Sequence, residues 1–291
     1  MSNIIKKNNI INEAHFTMSL AEYRVILMGI YWVRKHKLNP VTDRIRFHVT
    51  DFIKAFNLKE HRGSHYTSLI EAMLHLAQKQ MLLKRPDDLL PNKIKTTYMH
   101  WVSEASYVDD TGIVEFMFTQ GVAEALMEHE ATYTLYDLQL LSKLSSFYAI
   151  RLLEYVMQWR TVGKTQMYEI EDLKHRMGIG LSFPTLNGAM SVPEVTYGEN
   201  KLFNRDVIGR AIKSLNKAIP DLDLKYETVK SGKSIKGGFL TFNKNSKAII
   251  KSREARLLEE EDREDPNVFE GEAREVPPEE LDKDGLPQLK F

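Results

Sequence analysis

Two stretches of this 291-residue chain carry the same order of structural signals, and that repetition limits the possible folds more than any single motif does. The first stretch opens with "SLAE", a capping box in which Ser19 caps a helix and Glu22 bonds back. Apolar residues then recur at helical spacing in "YRVILMGIYWVRK", predicting a helix over about 20–36. "RIRFHVT" (44–50) alternates as a strand does, and Thr50 or Asp51 caps a short helix, "DFIKAFNL". Beyond a turn at Gly63, the helix "SHYTSLIEAMLHLAQK" leads into "QMLLKR". "KIKTTYMHWVSEASYV" and "GIVEFMFT", either side of a "DDTG" turn, predict a β-hairpin.

After a linker expected near 129–137, the order returns as a helix "LSSFYAIRLLEYVMQWR", a strand "QMYEI", a short helix "EDLKHRMGI", a longer helix "FNRDVIGRAIKSLNKAIP" and a hairpin "LDLKYETVKSGKSIKGGFLTFN". Tyr23, Val25 and Leu27 correspond to Tyr148, Ile150 and Leu152; Leu69, Ile70, Met73, Leu74 and Ala77 correspond to Val207, Ile208, Ala211, Ile212 and Leu215. Any two amphipathic helices can be aligned on their apolar positions, so an unrelated α+β fold is the competing view, but a shared order of elements is harder to match by chance. A short helix, a turn, a second helix and a hairpin make a helix-turn-helix with a wing. The expected fold is therefore α+β, with tandem winged-helix domains related by an internal pseudo-duplication. Its divisions are an N-terminal arm (1–12), a first domain (13–130), a second domain (131–253) and a tail (254–291).

Net charge is zero only by cancellation. From Glu254 to Phe291, fourteen acidic residues face five basic ones, so the tail is −9 and the body +9. Residues 201–253 alone hold thirteen Lys and Arg against four acidic residues. The tail combines high charge with few large apolar residues and reads as disordered beyond about 265, either as a solubilising segment or as an internal mimic of a polyanion. With no cysteine, disulfides, thiolate metal sites and Cys nucleophiles are excluded. No eighteen-residue apolar run or signal-peptide pattern occurs, so a cytoplasmic protein without membrane contact is expected.

On a wheel at 100° per residue, Phe203, Val207, Ile208, Ala211, Ile212, Leu215, Ala218 and Ile219 share one half of the second long helix. Asn204 falls among them and is expected as the N-cap. Arg205, Asp206, Gly209, Arg210 and Lys213 fill the outward half, in the turns that a recognition helix offers to base edges. Arg reads guanine bidentately, Lys and Arg neutralise phosphates, and Gly209 allows another backbone to come close. The hairpin beside it adds Lys225, Lys230, Lys233 and Lys236. In the first copy the outward face is polar and weakly basic: Ser64, His65, Thr67 and Ser68, with Lys59, His61 and Arg62 just ahead. It suits hydroxyl and backbone contacts to DNA or an ordinary solvated surface.

The run Ser146-Phe147-Tyr148-Ala149-Ile150-Arg151-Leu152-Leu153-Glu154, followed by "YEIEDLKHRMGI", "AIKSLN" and "GKSIKGGFLTF", resembles the C-terminal winged helix of the initiator Rep proteins of iteron-bearing, theta-replicating plasmids. "AHFTMSLAEYRVILMGI" is similar to the start of that family's first domain, and the resemblance spans about 8–245. It implies two winged helices that bind directly repeated origin DNA, with dimerisation and some DNA contact in the first domain and the main reading head in the second. It also implies a homodimer in equilibrium with monomer, autorepression, and recruitment of a host initiator ATPase and replicative helicase. The Gly/Pro-containing segment 178–201, longer than the usual helix-turn-helix turn, and the acidic tail depart from the family pattern.

Enzymatic alternatives find little support. No His-x-His pair accompanies a Tyr nucleophile as a nicking initiator would need, and no Gly-x-x-x-x-Gly-Lys-Ser/Thr phosphate loop occurs. "HRGSH" sets His61 and His65 four apart across a turn, a poor metal site, and "PDLDLK" reads as a turn into a strand rather than a nuclease trio. No catalytic residue, metal or cofactor is expected. A winged-helix transcriptional repressor without an initiator role is the alternative function.

Overall fold

In the computed structural model the first copy consists of β1 (Ile4–Asn8), α1 (Asn9–Glu13), α2 (Leu20–His36), β2 (Ile45–His48), α3 (Val49–Ala55), α4 (Arg62–Leu76), β3 (Gln80–Pro86), β4 (Ile94–His100), β5 (Val102–Val108) and β6 (Ile113–Phe118). The described residues are 4–58, 62–87, 89–127, 133–185, 187–192, 196–232 and 234–264, with backbone alone at 62–65 and 257–264. Ser19 caps α2 in a full capping box: its Oγ accepts from the Glu22 amide at 3.2 Å, and Glu22 Oε2 accepts from the Ser19 amide at 2.7 Å. At α3 the cap is His48 rather than Thr50 or Asp51. Its Nδ1 accepts from the Thr50 amide (3.1 Å) and Asp51 Oδ2 accepts from the His48 amide (3.2 Å), so the helix starts earlier in the chain, at Val49.

The expected long strand 93–108 is two strands. It breaks at Trp101, whose N–H donates to the Lys79 carbonyl (3.1 Å) and whose carbonyl accepts from the Thr119 amide (3.2 Å). The indole is fully buried, edge-on to Phe16 with ring centroids 4.9 Å apart. Before the break, β4 pairs back with β3; after it, β5 pairs with β6. No Gly, Pro, Asn or Asp interrupts 93–108, so sequence pattern alone hides the change of partner.

α5 (Gln120–Met127), β7 (Tyr133–Asp137) and α6 (Leu138–Leu141) lead to the second copy. That copy holds α7 (Phe147–Gln158), β8 (Tyr168–Glu169), α8 (Ile170–Arg176), α9 (Asn200–Leu202), a π-turn at Phe203–Gly209, α10 (Arg210–Ala218), β9 (Lys225–Ser231) and β10 (Ser234–Thr241), followed by α11 (Lys247–Glu264). Its sheet order, β8-β10-β9, repeats the β2-β6-β5 order of the first copy: the strand before each helix-turn-helix pairs with the last strand of the wing. Residues 1–253 form one compact unit, and 254–264, which belong to a second, continue α11. The tail beyond Glu264 lies outside the described residues.

Residues 4–8, expected within the N-terminal arm, and 133–137, expected within a linker, are strands. β1 and β7 pair antiparallel, from Ile4 opposite Asp137 to Asn8 opposite Tyr133. The reason lies in the side chains they bury. Lys7, fully buried, donates to Glu154 Oε1 at 2.8 Å and to the Tyr23 hydroxyl at 2.5 Å. Glu154 also accepts from Tyr23 (2.6 Å), Tyr136 (2.8 Å) and Arg151 Nη1 (3.0 Å). Arg151 Nη2 in turn donates to the carbonyls of Asn12 (2.8 Å) and Ala14 (2.9 Å). This cluster stitches β1 to α2, β7 and α7. Burial pushes Lys7 down to about 8 even beside Glu154. Burial raises Glu154 too, but the adjacent Lys7 and Arg151 outweigh it and hold the carboxyl below its ordinary value.

Candidate nucleic-acid interface

The second long helix starts earlier than its apolar pattern suggests. Helical backbone runs from 200 to 218, with Glu199 at the N-cap and the Phe203 amide bonded to the Glu199 carbonyl (2.9 Å). Asn204 is therefore not a cap; its Oδ1 is buried with no hydrogen-bond partner. The inward face is as the wheel predicts: Phe203, Val207, Ile208, Ala211, Leu215 and Ile219 are buried, and Ile212 and Ala218 half-buried.

Residues 203–209 form a π-turn, in which hydrogen bonds run from i to i+5 instead of i+4 and so take in one extra residue. Gly209 answers to this turn. A Cβ at Gly209 would lie 3.1 Å from the Asn204 carbonyl oxygen five residues back, so the backbone that comes close is the helix's own. Arg205, Arg210 and Lys213 are exposed as expected. Asp206, expected on the same open face, is only 9% exposed at its side chain. Arg205 engages it with both Nε (3.0 Å) and Nη2 (2.6 Å), and Arg210 Nη2 reaches it at 3.0 Å. Hydrogen bonds from Arg205, with the charge of Arg205 and Arg210, hold the Asp206 carboxyl below the usual carboxylate range.

The wing stands beside this helix. β9 and β10 pair from Ser231 opposite Ser234 down to Lys225 opposite Thr241, with a register shift between Ile235 and Gly237. A Cβ at Gly237 would lie 2.1 Å from the Tyr168 carbonyl oxygen, so only glycine lets β8 pair here. Lys230 and Lys236 are exposed, and Lys225 pairs with Asp223 at 2.7 Å. Lys233 lies outside the described residues. An open cleft of about 630 Å³ joins helix and wing, lined by Asn200, Lys201, Asn204, Arg205, Ser234 and Ile235. The sequence pattern does not place Asn200 and Lys201 beside this cleft, because it starts the helix at Arg205.

In the first copy, Thr67 and Ser68 are exposed on α4, while Arg62, Ser64 and His65 occupy its first turn. Lys59 and His61 lie outside the described residues. α4 buries Leu69, Ala72, Met73 and Leu76, whereas Leu74 is 52% exposed and Ala77 is exposed too. The correspondence with the second copy thus steps by one residue after Leu69, so that Ala72 and Leu76 match Ala211 and Leu215. The π-turn's extra residue accounts for that step. The first wing carries Asp109 and Asp110 at its tip, the opposite charge to the second.

Within the 178–201 segment, residues 183–185 fold back against 189–191, with the Phe183 amide on Ser191 Oγ (2.9 Å) and the Thr185 amide on the Ala189 carbonyl (2.8 Å). It leans on the β3–β4 hairpin through the rings of Tyr98 and Phe183 (6.3 Å) and a bond from Gln80 Nε2 to the Pro184 carbonyl (3.3 Å). In "PDLDLK", Asp221 accepts from the Lys247 amide and Asp223 from Lys225, which is a turn leading into β9. Among the described residues no group of three or more His, Cys, Asp or Glu could hold a metal ion, and no helix is long and apolar enough to cross a membrane.

The family model for "Initiator Replication protein, WH1" matches residues 4–157, and that for "Initiator Rep protein, WH2" matches 169–242. The chain belongs to the initiator Rep protein family. Its WH1 match ends within α7, and its WH2 match opens on β8 and ends just past the last strand of the wing. Among solved structures, the Pi initiator protein in complex with iteron DNA is similar in fold, with a TM-score of 0.61 at 17% identity over 83% of this chain and 97% of that one. The WH1 domain of MSBI1.176, a replication protein isolated from a multiple sclerosis patient, aligns at 24% identity over 42% of this chain and 84% of that domain, with a TM-score of 0.32. No curated protein matches this initiator. Tandem winged helices are thus its architecture, as the duplicated element order predicts.

Proposed function

We propose that this initiator binds directly repeated origin DNA, iterons of the kind named for the Pi complex, and that its second winged helix is the main reading head. The observation that carries this reading is the cleft between Arg205 and the wing, in a part of the chain with net charge +9. Arg205 and Arg210 supply base-edge contacts, and Lys213, Lys230, Lys233 and Lys236 supply phosphate contacts. The first winged helix contributes lesser contacts from Arg62, Ser64, His65, Thr67 and Ser68, since its wing tip is acidic and would repel phosphate. Binding energy, rather than catalysis by this chain, opens the origin in the bacterial cytoplasm. Recruitment of the host initiator ATPase and helicase, a monomer–dimer equilibrium and autorepression complete the proposal.

Footprinting of the full chain on DNA flanking its gene tests it. Several direct repeats of about 20 bp, two helical turns, next to an A·T-rich stretch support initiation; a single inverted repeat at the promoter favours a repressor. Arg205→Ala is expected to weaken specific binding by about 1–3 kcal/mol and to relax one base position. Lys236→Ala weakens all sequences alike and lowers the salt slope by about 1. Unchanged binding in both variants sinks the assignment of the reading head.

A further inference from the structure

We infer that Asp206 is a positioning residue for specificity: without touching DNA, it locks Arg205 and Arg210 into one rigid reading unit. This rests on the assignment of the second winged helix as the reading head. A carboxylate on a DNA-facing helix would ordinarily repel phosphate, and so needs a reason to be there. Asp206 is nearly covered, at 9% side-chain exposure, by two arginines that are 65% and 75% exposed. Its two oxygens are both occupied, Oδ1 by Arg205 Nε and Arg210 Nη2, Oδ2 by Arg205 Nη2.

The chemistry of the fork gives this arrangement its meaning. A guanidinium has five N–H donors in fixed geometry. Arg205 spends two of them on Asp206, along its Nε edge, which leaves Nη1 and the outer Nη2 hydrogen on a side chain that is 65% exposed. Those two are a pair of parallel donors suited to guanine O6 and N7. Arg210 spends only Nη2, leaving Nε and Nη1 for a second base or a phosphate. The π-turn belongs to the same device, because the residues that bracket the carboxylate are the first exposed arginine within the turn and the first residue beyond it. A Cβ at Gly209 would sit tightly, at 3.1 Å, against the Asn204 carbonyl oxygen within this turn.

The test uses the full chain, a duplex selected by it from a random pool, and a scrambled duplex of equal length. Asp206→Asn keeps the shape and removes the charge. The expected result is a loss of discrimination between the two duplexes of about fivefold or more, confined to one or two base positions. Binding to the scrambled duplex should be unchanged or tighter, which a general loss of helix structure would not produce. In an Arg205→Ala background, Asp206→Asn should have little further effect on discrimination, since the group it orients is gone. If Asp206→Asn leaves discrimination intact while Arg205→Ala removes it, or if the two effects add, the positioning role is overturned and the reading head stands. If neither Arg205→Ala nor Arg210→Ala alters specific binding, the reading-head assignment itself fails and the inference falls with it.

Discussion

Replacing Glu154 by Gln probes the charged cluster that joins β1, α2, β7 and α7. The substitution keeps the shape and one acceptor but leaves Lys7 and Arg151 buried without a counter-charge. Arg151 retains the Asn12 and Ala14 carbonyls, so Lys7 is the group left worst off. Removing one partner of a buried ion pair costs about 3–5 kcal/mol. Lys7 also sets its own ceiling, because it can surrender its proton. From an ordinary value of 10.5, that costs about 4 kcal/mol at pH 7.5. A neutral Lys7 in the folded variant, against a charged one in the unfolded chain, means that the unfolded state binds more protons. Stability of the variant therefore rises with pH, by about 1.4 kcal/mol per unit from pH 6.5 upward. In the wild type that slope begins only near 8, where Lys7 first loses its proton. Urea unfolding followed by tryptophan fluorescence at pH 6.5 and 7.5 measures both quantities. A loss below about 1 kcal/mol at pH 6.5, or equal pH slopes for the two proteins, would refute the reasoning.

Three further outcomes follow from other sites. Asp172 is held at about 2: burial raises it, but hydrogen bonds from His15 and Arg176 outweigh burial. Its contribution is present above its unfolded value of 3.8 and is lost as pH falls toward 2. Asp172→Asn should therefore lower stability near neutral pH by about 1 kcal/mol, after discounting for its partial exposure, and flatten acid unfolding between those values. Gly237→Ala should destabilise by about 2 kcal/mol or more in the same urea assay, because its Cβ meets the Tyr168 carbonyl and β8 must detach. Truncation after Glu264 removes eight acidic and three basic residues, taking the chain from zero to +5. Non-specific DNA binding should tighten and steepen in its salt dependence; identical titrations would leave the tail without an electrostatic role.

Much of the architecture is local in origin and so was open to sequence reading. The Ser19 capping box and the inward face of the 203–219 helix each follow from periodicity or side-chain chemistry within a few residues. The repeated order of elements extended that to two winged helices. Longer-range choices were not legible. Nothing near Trp101 states that β4 turns back to β3 while β5 goes on to β6, and nothing in "IIKKN" states that Lys7 will be buried 147 residues away in sequence from its partner Glu154.

The reading head shows the same division at closer quarters. Sequence alone determined that Arg205, Gly209, Arg210 and Lys213 share an outward face, because a helical wheel depends only on spacing. Tertiary structure decided where the helix starts, that Asp206 turns under its two arginines, and that a π-turn shifts the second copy by one residue against the first. Those outcomes depend on which backbone carbonyl each amide finds once Phe203, Val207 and Ile208 are buried against the core, and that competition is settled by packing rather than by the order of residues along the chain.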